Sequence, residues 1–140
     1  MFTKQPKKKI RYAVVGLGYI AQIAVLPAFK NAKKNSKLTA LVSGDKEKLD
    51  RLGDKYKVQH RCLYSEFETL LKSGEIDAVY IATPNSFHRN IMEMSAKYGI
   101  HVLCEKPMAV TTEDCLSMIS EAQRHHIQLM VAYRLHFEAA

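Results

Sequence analysis

The chain has 140 residues, of which 47% are hydrophobic and 25% are charged, and an excess of Lys and Arg gives it a formal net charge of +7. This length predicts one domain with its own core, and the shortness of every apolar run excludes a membrane-spanning protein. Cys62, Cys104 and Cys115 are an odd number of cysteines without Cys-x-x-Cys spacing. Together with a start that does not resemble a secretory leader, they predict reduced thiols in a cytoplasmic protein.

Positive charge is concentrated in the first third of the chain, where residues 1–44 hold nine Lys or Arg and no Asp or Glu. Such a cluster can attract a nucleic acid or another acidic partner. It is also typical of a solvated tail that keeps a protein soluble. Because no aromatic residues alternate with these lysines to stack on bases, we expect residues 1–9 to be a disordered basic tail and we expect no nucleic-acid partner.

Apolar runs alternate with helical patterns along the rest of the chain, which predicts a parallel sheet with helices on both faces. The predicted strands are 10–15, 38–42, 61–63, 78–82, 101–104 and 127–132. The predicted helices are 19–32 with a break near Pro27, 45–56, 65–72 closed by Gly74, 86–98 stopped by Gly99, and 112–125. Six strands in this order predict an α/β fold over residues 10–140, a doubly wound Rossmann sheet made of two mononucleotide-binding halves.

The first predicted strand runs into Gly-x-Gly-x-x-Ala at residues 16–21. In a dinucleotide-binding turn, a glycine at Gly16 allows the tight turn, Gly18 lets the backbone approach a diphosphate, and a small Ala21 lets helix and strand pack closely. The helix N-terminus adds unpaired N–H groups and a partial positive charge. The pattern therefore predicts a diphosphate site at Gly16, Leu17, Gly18, Tyr19 and Ile20, although an ordinary glycine-rich turn has the same signature.

The end of the second strand bears on which dinucleotide binds. NAD-binding domains place an Asp or Glu there for the ribose hydroxyls, and a carboxylate would repel a 2′-phosphate. Here Ser43 and Gly44 stand at that position, with Lys46 close behind. A hydroxyl and an ammonium group favour an anion, so NADP is predicted and NAD is the less favoured cofactor. The alternative is that Ser43, Gly44 and Asp45 form only a turn and the N-cap of the next helix.

Two further motifs follow the fourth and fifth predicted strands: Thr-Pro-Asn-Ser-Phe-His at 83–88 and Cys-Glu-Lys-Pro at 104–107. With the glycine turn they make the chain resemble the Gfo/Idh/MocA oxidoreductases, and most of all the glucose-fructose oxidoreductase branch, over nearly all of residues 10–137. The resemblance implies hydride transfer between a nicotinamide cofactor and a sugar, cyclitol or related alcohol. It implies that Lys106 is the catalytic lysine beside the nicotinamide. The residues that it places along the cofactor are Thr83, Pro84, Asn85, His88, Glu105 and Lys106.

A lysine suits this chemistry because an alcohol that gives up hydride must also lose its hydroxyl proton. Without the resemblance, Lys106 is typical of a solvated loop lysine, and His88 of a residue that bonds locally at a helix start. Members of the family continue into a C-terminal α/β domain that supplies substrate contacts, and the 140 residues do not include it. We therefore expect a truncated NADP-binding domain that is weakly active or inactive alone, in a homo-oligomer or with a partner.

Two alternatives remain open from the sequence. In one, another polypeptide supplies the missing domain and the chain is one subunit of a split dehydrogenase, with an apolar C-terminal surface at Met130, Val131, Leu135 and Phe137. In the other, the chain is a non-enzymatic nucleotide-binding module. His125, His126 and His136 are close in sequence but lack neighbouring ligands at metal-binding spacing, so no metal site is predicted.

Overall fold

The computed structural model describes residues 8–133, which form one six-stranded sheet in the order β3-β2-β1-β4-β5-β6 with every pair parallel. The chain order reverses between β1 and β4, as in a doubly wound sheet, so the predicted fold class is confirmed. The strands are β1 (Ile10–Val15), β2 (Ser36–Val42), β3 (His60–Cys62), β4 (Ala78–Ile81), β5 (His101–Cys104) and β6 (Leu129–Val131).

Helices connect the strands in the predicted places. They are α1 (Leu26–Ala28), which continues a π-helical segment Ala21–Val25, then α2 (Lys46–Tyr56), α3 (Phe67–Lys72), α4 (His88–Lys97) and α5 (Thr112–Arg124). Short 3-10 turns at Tyr64–Glu66 and Asn85–Phe87 precede α3 and α4. Gly74 and Gly99 have φ of +72° and +70° just beyond α3 and α4. Each predicted glycine stop therefore lies in the left-handed region that glycine adopts most readily.

The first helix is shorter than the predicted 19–32. The N–H of Leu26 donates to the carbonyl of Ala21, five residues back. After Pro27, which has no N–H, the N–H groups of Lys30 and Asn31 reach only three residues back, to Pro27 and Ala28. The regular helix therefore ends within one turn of Pro27, close to the predicted break.

The sheet separates two hydrophobic clusters because successive strand residues point to opposite faces. On one face, Ala13 and Val15 belong to the cluster that contains Met92 of α4 and Met118 of α5. On the other face, Val14 packs with residues of the first helix and of α2. We call these the α4–α5 face and the α1–α2 face.

The α1–α2 face is covered over only part of the sheet. Over β4, β5 and β6 it carries an open groove of about 630 Å³, whose lining includes Tyr12, Phe29, Tyr80, Leu103, Met130 and Tyr133. Parallel sheets usually have both faces covered, so this groove is an incomplete layer.

The three cysteines are free thiols, as expected, and Cys104 is buried in the sheet. Burial raises the pKa of the Cys104 thiol to about 12. Among residues 8–133 we find no helix with the length and hydrophobicity needed to span a bilayer. The predicted tail falls largely outside the described residues, as do Leu135, His136 and Phe137.

Candidate functional site

Gly16 occupies a turn that no other residue fits. Its φ is +91°, and a Cβ built on it would lie 2.8 Å from the carbonyl carbon of Ala82 and from the nitrogen of Thr83. Its own N–H donates to the carbonyl of Val42 at 2.9 Å. Gly16 therefore lets the turn after β1 pack directly against the chain leaving β4, which explains the first glycine of the motif without any ligand.

Gly18 has no such internal reason. Apart from its immediate neighbours along the chain, a Cβ on Gly18 would meet no heavy atom of residues 8–133 within 4 Å. Leu17 beside it is 2% exposed and anchors the turn in the core, whereas Tyr19 is 78% exposed. The turn is thus anchored in the core by Leu17 and open to solvent at Gly18, where the first helix begins. Because the first N–H groups of a helix lack partners within it, this opening fits the diphosphate of a dinucleotide.

Gln22 stiffens the glycine turn, a role that the sequence analysis missed. Its side-chain Nε2 donates to the carbonyl of Leu17 at 2.9 Å, and its Oε1 accepts from Nη2 of Arg51 at 3.2 Å. The turn is therefore tied to α2 as well as to the core. A glutamine four residues after the second glycine is the sequence signal that accompanies this contact, but its partner Arg51 is 29 residues away.

The end of β2 forms a turn and a helix cap. Ser43 is 5% exposed, and its Oγ accepts from the N–H of Asp45 at 3.2 Å. The Asp45 carboxylate accepts from the N–H of Lys48 at 2.9 Å, and this hydrogen bond is the main reason that the pKa of Asp45 lies below its usual value. Lys46 projects into solvent, with its Nζ 3.6 Å from the carboxylate of Asp50. The turn and N-cap considered for Ser43, Gly44 and Asp45 are present here.

The loop after β4 contains Thr83, Pro84 and Asn85. The side-chain Oγ1 of Thr83 is buried and has no hydrogen-bond partner among residues 8–133. An unpaired buried hydroxyl is costly and is usually satisfied by something. Pro84 is exposed and Asn85 half-buried, at the start of the 3-10 turn. A polar ligand along this loop would supply the Thr83 hydroxyl with a partner.

His88, the last residue of this motif, lies inside the protein and is 1% exposed. Its Nε2 is 2.9 Å from the carbonyl oxygen of Thr83, and its Nδ1 is 3.1 Å from that of Pro107 and 3.3 Å from that of Met108. The ring therefore stands between the loop after β4 and the loop after β5. That His88 borders the cofactor stays a prediction.

Glu105 and Lys106 leave the end of β5 at the same edge. One carboxylate oxygen of Glu105 accepts from the hydroxyl of Tyr80 at 2.7 Å, and the other from the N–H of Lys106 at 3.2 Å. Burial, followed by this carboxylate, raises the pKa of Tyr80 well above its usual value. Lys106 is exposed, and its peptide bond to Pro107 is cis. Tyr80 is a second residue that the sequence analysis missed, although it lies in the apolar strand that precedes the Thr-Pro-Asn motif.

Backbone contacts bring the predicted stretches to one edge of the sheet. Ala82 N–H donates to the carbonyl of Val15 at 2.8 Å, and Glu105 N–H donates to that of Ile81 at 3.0 Å. The glycine turn, the Thr83 loop and the Lys106 loop are consequently neighbours at the carboxyl ends of β1, β4 and β5. In open α/β sheets, ligands bind at this edge where the strand order reverses.

Comparison with known proteins agrees with this geometry. Residues 10–133 match the model of the oxidoreductase family GFO_IDH_MocA, described as an NAD-binding Rossmann fold. The chain belongs to that family, and its described part is an NAD(P)-binding oxidoreductase domain. The resemblance inferred from the motifs is confirmed.

Relatives in the family include sugar and cyclitol dehydrogenases. A D-xylose 1-dehydrogenase (NADP(+)) of Haloarcula marismortui is 39% identical over 132 residues, 94% of this chain and 36% of the relative. A scyllo-inositol 2-dehydrogenase (NADP(+)) of Bacillus subtilis is 33% identical over 91% of this chain and 38% of its own length. The chain thus spans little more than a third of these relatives.

Solved structures of sugar and cyclitol oxidoreductases also superimpose on this chain. The aldose-aldose oxidoreductase from Caulobacter crescentus, complexed with glycerol, superimposes with a TM-score of 0.89 at 42% identity, over 94% of this chain and 40% of that one. The scyllo-inositol dehydrogenase from Lactobacillus casei, with bound NAD(H) and scyllo-inositol, gives 0.80 at 26% identity over 94% and 38%.

Proposed function

We propose that this chain is the NADP-binding part of an oxidoreductase that exchanges hydride between NADP and a sugar, cyclitol or related alcohol. The observation that carries the proposal is the contrast at the glycine turn, where Gly16 is enclosed by protein and Gly18 faces open space. The Lys106 loop lies at the same edge of the sheet. We also propose a cytoplasmic location, on the basis of the free thiols.

Each part of the site has a proposed role in cofactor binding or proton transfer. The backbone from Gly16 to Ile20 binds the diphosphate, and the loop from Thr83 to Asn85 orients the rest of the dinucleotide. When bound, the nicotinamide would supply the acceptor, or in the reverse direction the donor, for the hydride of the carbon that carries the substrate hydroxyl. Nζ of Lys106 would take the hydroxyl proton as the carbon–oxygen bond becomes a carbonyl. Glu105, fixed by Tyr80, holds the backbone of this lysine.

Three features support NADP over NAD. The position after β2 is the neutral Ser43, and the carboxylate of Asp45 is already engaged by the N–H of Lys48. Lys46, with 78% of its side chain exposed, is near enough in sequence to approach a 2′-phosphate. Two relatives are named as NADP(+) dehydrogenases, whereas the Lactobacillus casei structure holds NAD(H).

Titration of the chain with NADPH and NADH, followed by nicotinamide fluorescence, tests the cofactor proposal. We expect tighter binding of NADPH, and in Gly18→Ala about tenfold weaker binding of both with an unchanged melting temperature, because the new methyl group meets only ligand. A folded wild-type chain that binds neither cofactor would contradict the proposal.

The preference for NADP has its own variants. Ser43→Asp should lower NADPH affinity about tenfold or more and raise the relative affinity for NADH, because a carboxylate would face the 2′-phosphate. The matched control is Ser36→Asp, the same change at the opposite end of β2. Lys46→Ala, an exposed change that leaves folding intact, should weaken NADPH and spare NADH. Equal effects on the two cofactors would overturn the NADP assignment.

The groove on the α1–α2 face supports a second candidate, in which a separate polypeptide completes the enzyme. Apolar side chains of β4, β5 and β6 are uncovered there, and the groove also reaches Glu105 and Lys106. A domain seated in it would adjoin the proposed catalytic lysine. We therefore propose association with a second domain in place of the alternatives, a homo-oligomer and a non-enzymatic nucleotide-binding module.

This candidate is tested by mixing the chain with the remaining part of the Caulobacter crescentus aldose-aldose oxidoreductase, expressed separately, and measuring association and aldose-dependent reduction of NADP. Met130→Asp in the groove should prevent both. Leu116→Asp, on an exposed position of α5, should prevent neither. Self-association of the chain through the groove would favour the homo-oligomer, and cofactor binding without any partner-dependent activity would favour the binding module.

A further inference from the structure

His88 is the side chain that joins the two loops of the proposed active site. Its ring is 1% exposed, and three main-chain carbonyl oxygens surround the two ring nitrogens at 2.9, 3.1 and 3.3 Å. One oxygen belongs to Thr83 in the loop after β4. The other two belong to Pro107 and Met108, directly after Lys106. Pro107 and Met108 are 19 and 20 residues from His88 in the sequence, and Thr83 is five residues from it.

The chemistry of these contacts is restrictive. A carbonyl oxygen only accepts hydrogen bonds, so each ring nitrogen must carry a hydrogen in order to bond its neighbour. A ring with one N–H can donate a hydrogen bond to only one of the two loops at a time, whereas a ring with two N–H groups can donate to both. The three partners recorded for the ring are all main-chain carbonyls, so the side chain acts on the course of the main chain.

We infer that His88 is a positioning residue, whose buried ring fixes the Lys106 loop against the Thr83 loop and thereby sets where the lysine stands relative to the nicotinamide. This inference rests on the proposed function. It differs from the role implied by the family resemblance, in which His88 borders the cofactor, because the ring is enclosed by the two loops.

Among residues 8–133, few other side-chain hydrogen bonds fix the position of Lys106. Its N–H is held by the carboxylate of Glu105, on the strand side of the lysine. On the far side, the Cys104 thiol lies 3.8 Å from the carbonyl of Met108, which is a weak contact. Beyond Lys106, Met108 also packs against the core of the α4–α5 face and Ala109 is buried in it. The His88 ring supplies the polar contacts between this stretch and the Thr83 loop, and without it we expect residues 106–108 to shift relative to that loop.

The test compares NADPH with 2′-phospho-ADP-ribose, which has the adenosine 2′-phosphate, the diphosphate and the second ribose of the cofactor but no nicotinamide. In His88→Leu, which removes the contacts to both loops, NADPH should bind about tenfold more weakly, while 2′-phospho-ADP-ribose should bind within about twofold of wild type. His88→Asn, which keeps a donor near the place of Nδ1, should bind NADPH with intermediate affinity. Hydrogen exchange should quicken in a peptide covering residues 105–109.

The matched control is His101→Asn. His101 also bonds backbone through Nδ1, accepting from the N–H of Gln128 at 3.0 Å, but at the opposite edge of the sheet. It should leave both ligands unaffected. An equal loss of both ligands in the His88 variants would assign His88 a general structural role, and unchanged NADPH binding in folded variants would also overturn the inference. If the wild type binds 2′-phospho-ADP-ribose and NADPH with no difference, the lysine loop does not sense the nicotinamide and the inference is again wrong, whereas binding of neither contradicts the proposed function itself.

Discussion

The amino ends of the strands form one edge of the sheet, the amino edge, and their carboxyl ends form the opposite edge, the carboxyl edge. Polar groups at the two edges differ in whether they have hydrogen-bond partners within the protein. At the amino edge, Asp77 accepts three hydrogen bonds from Arg11, from N–H at 2.8 Å, Nε at 2.9 Å and Nη2 at 2.8 Å. Main-chain groups continue the closure there, since Asp77 N–H donates to the Arg11 carbonyl and His101 N–H donates to the Asp77 carbonyl. At the carboxyl edge, the hydroxyl of Thr83 has no partner among the described residues, and the space above Gly18 is open.

This difference separates stability from binding within one sheet. Groups at the amino edge satisfy one another, so their removal should cost folding free energy and leave ligands unaffected. At the carboxyl edge the backbone is held by hydrogen bonds of Gly16, Ala82 and Glu105, while the Thr83 hydroxyl has no partner among the described residues and the space at Gly18 is open. We therefore expect two classes of substitution at the carboxyl edge: those that lower the free energy of unfolding and those that lower only ligand affinity.

The largest effect is expected from Gly16→Ala, at the frame of the carboxyl edge. The left-handed φ of +91° and the 2.8 Å approach to Ala82 and Thr83 oppose any side chain. Together they should lower the free energy of unfolding by about 3 kcal/mol. Urea denaturation monitored by circular dichroism measures this loss. Gly18→Ala is the control, with a change of no more than about 0.5 kcal/mol, and a similar loss in both variants would remove the distinction between the two glycines.

A smaller effect is expected from the amino edge, and it depends on pH. The hydrogen bonds from the Arg11 side chain hold the pKa of Asp77 at about 2, below its ordinary 3.8. Because the folded-state pKa is lowered, the stabilisation is complete above about pH 4 and is lost as pH falls towards 2. The pair is about a quarter exposed, so we expect Asp77→Asn to cost about 1–2 kcal/mol at neutral pH.

The measurement is the free energy of unfolding between pH 2 and pH 7. In Asp77→Asn the acid-dependent part of the curve should be shallower than in the wild type, and NADPH affinity should not change. Asp54→Asn is the control, because Asp54 also pairs with an arginine, Arg61, but is well exposed. An equal loss in both variants, or weaker NADPH binding in Asp77→Asn, would contradict the separation of the two edges.

The sequence predicted the sheet and the edge better than the contacts at that edge. Apolar runs located all six strands, and the glycine, Thr-Pro-Asn and Glu-Lys-Pro motifs pointed to the loops, because the residues of each signal lie within a few positions of one another. Contacts such as Gln22 with Arg51 and Tyr80 with Glu105 join residues 29 and 25 positions apart. Local patterns do not contain such pairs, and the enclosure of His88 depends on the packing of two loops.

The smallest effect on stability is expected from Lys106→Ala. Lys106 is exposed, so its truncation should change the free energy of unfolding by less than about 0.5 kcal/mol. NADPH affinity should fall by no more than in His88→Leu, about tenfold, because the proposed chemical task of the lysine is to take a proton from the substrate. Activity restored by a second domain should fall by at least about a hundredfold. If the variant keeps this activity, the substrate proton leaves by a route other than Lys106. If the variant unfolds, Lys106 stabilises the fold at the carboxyl edge and its catalytic role is not supported.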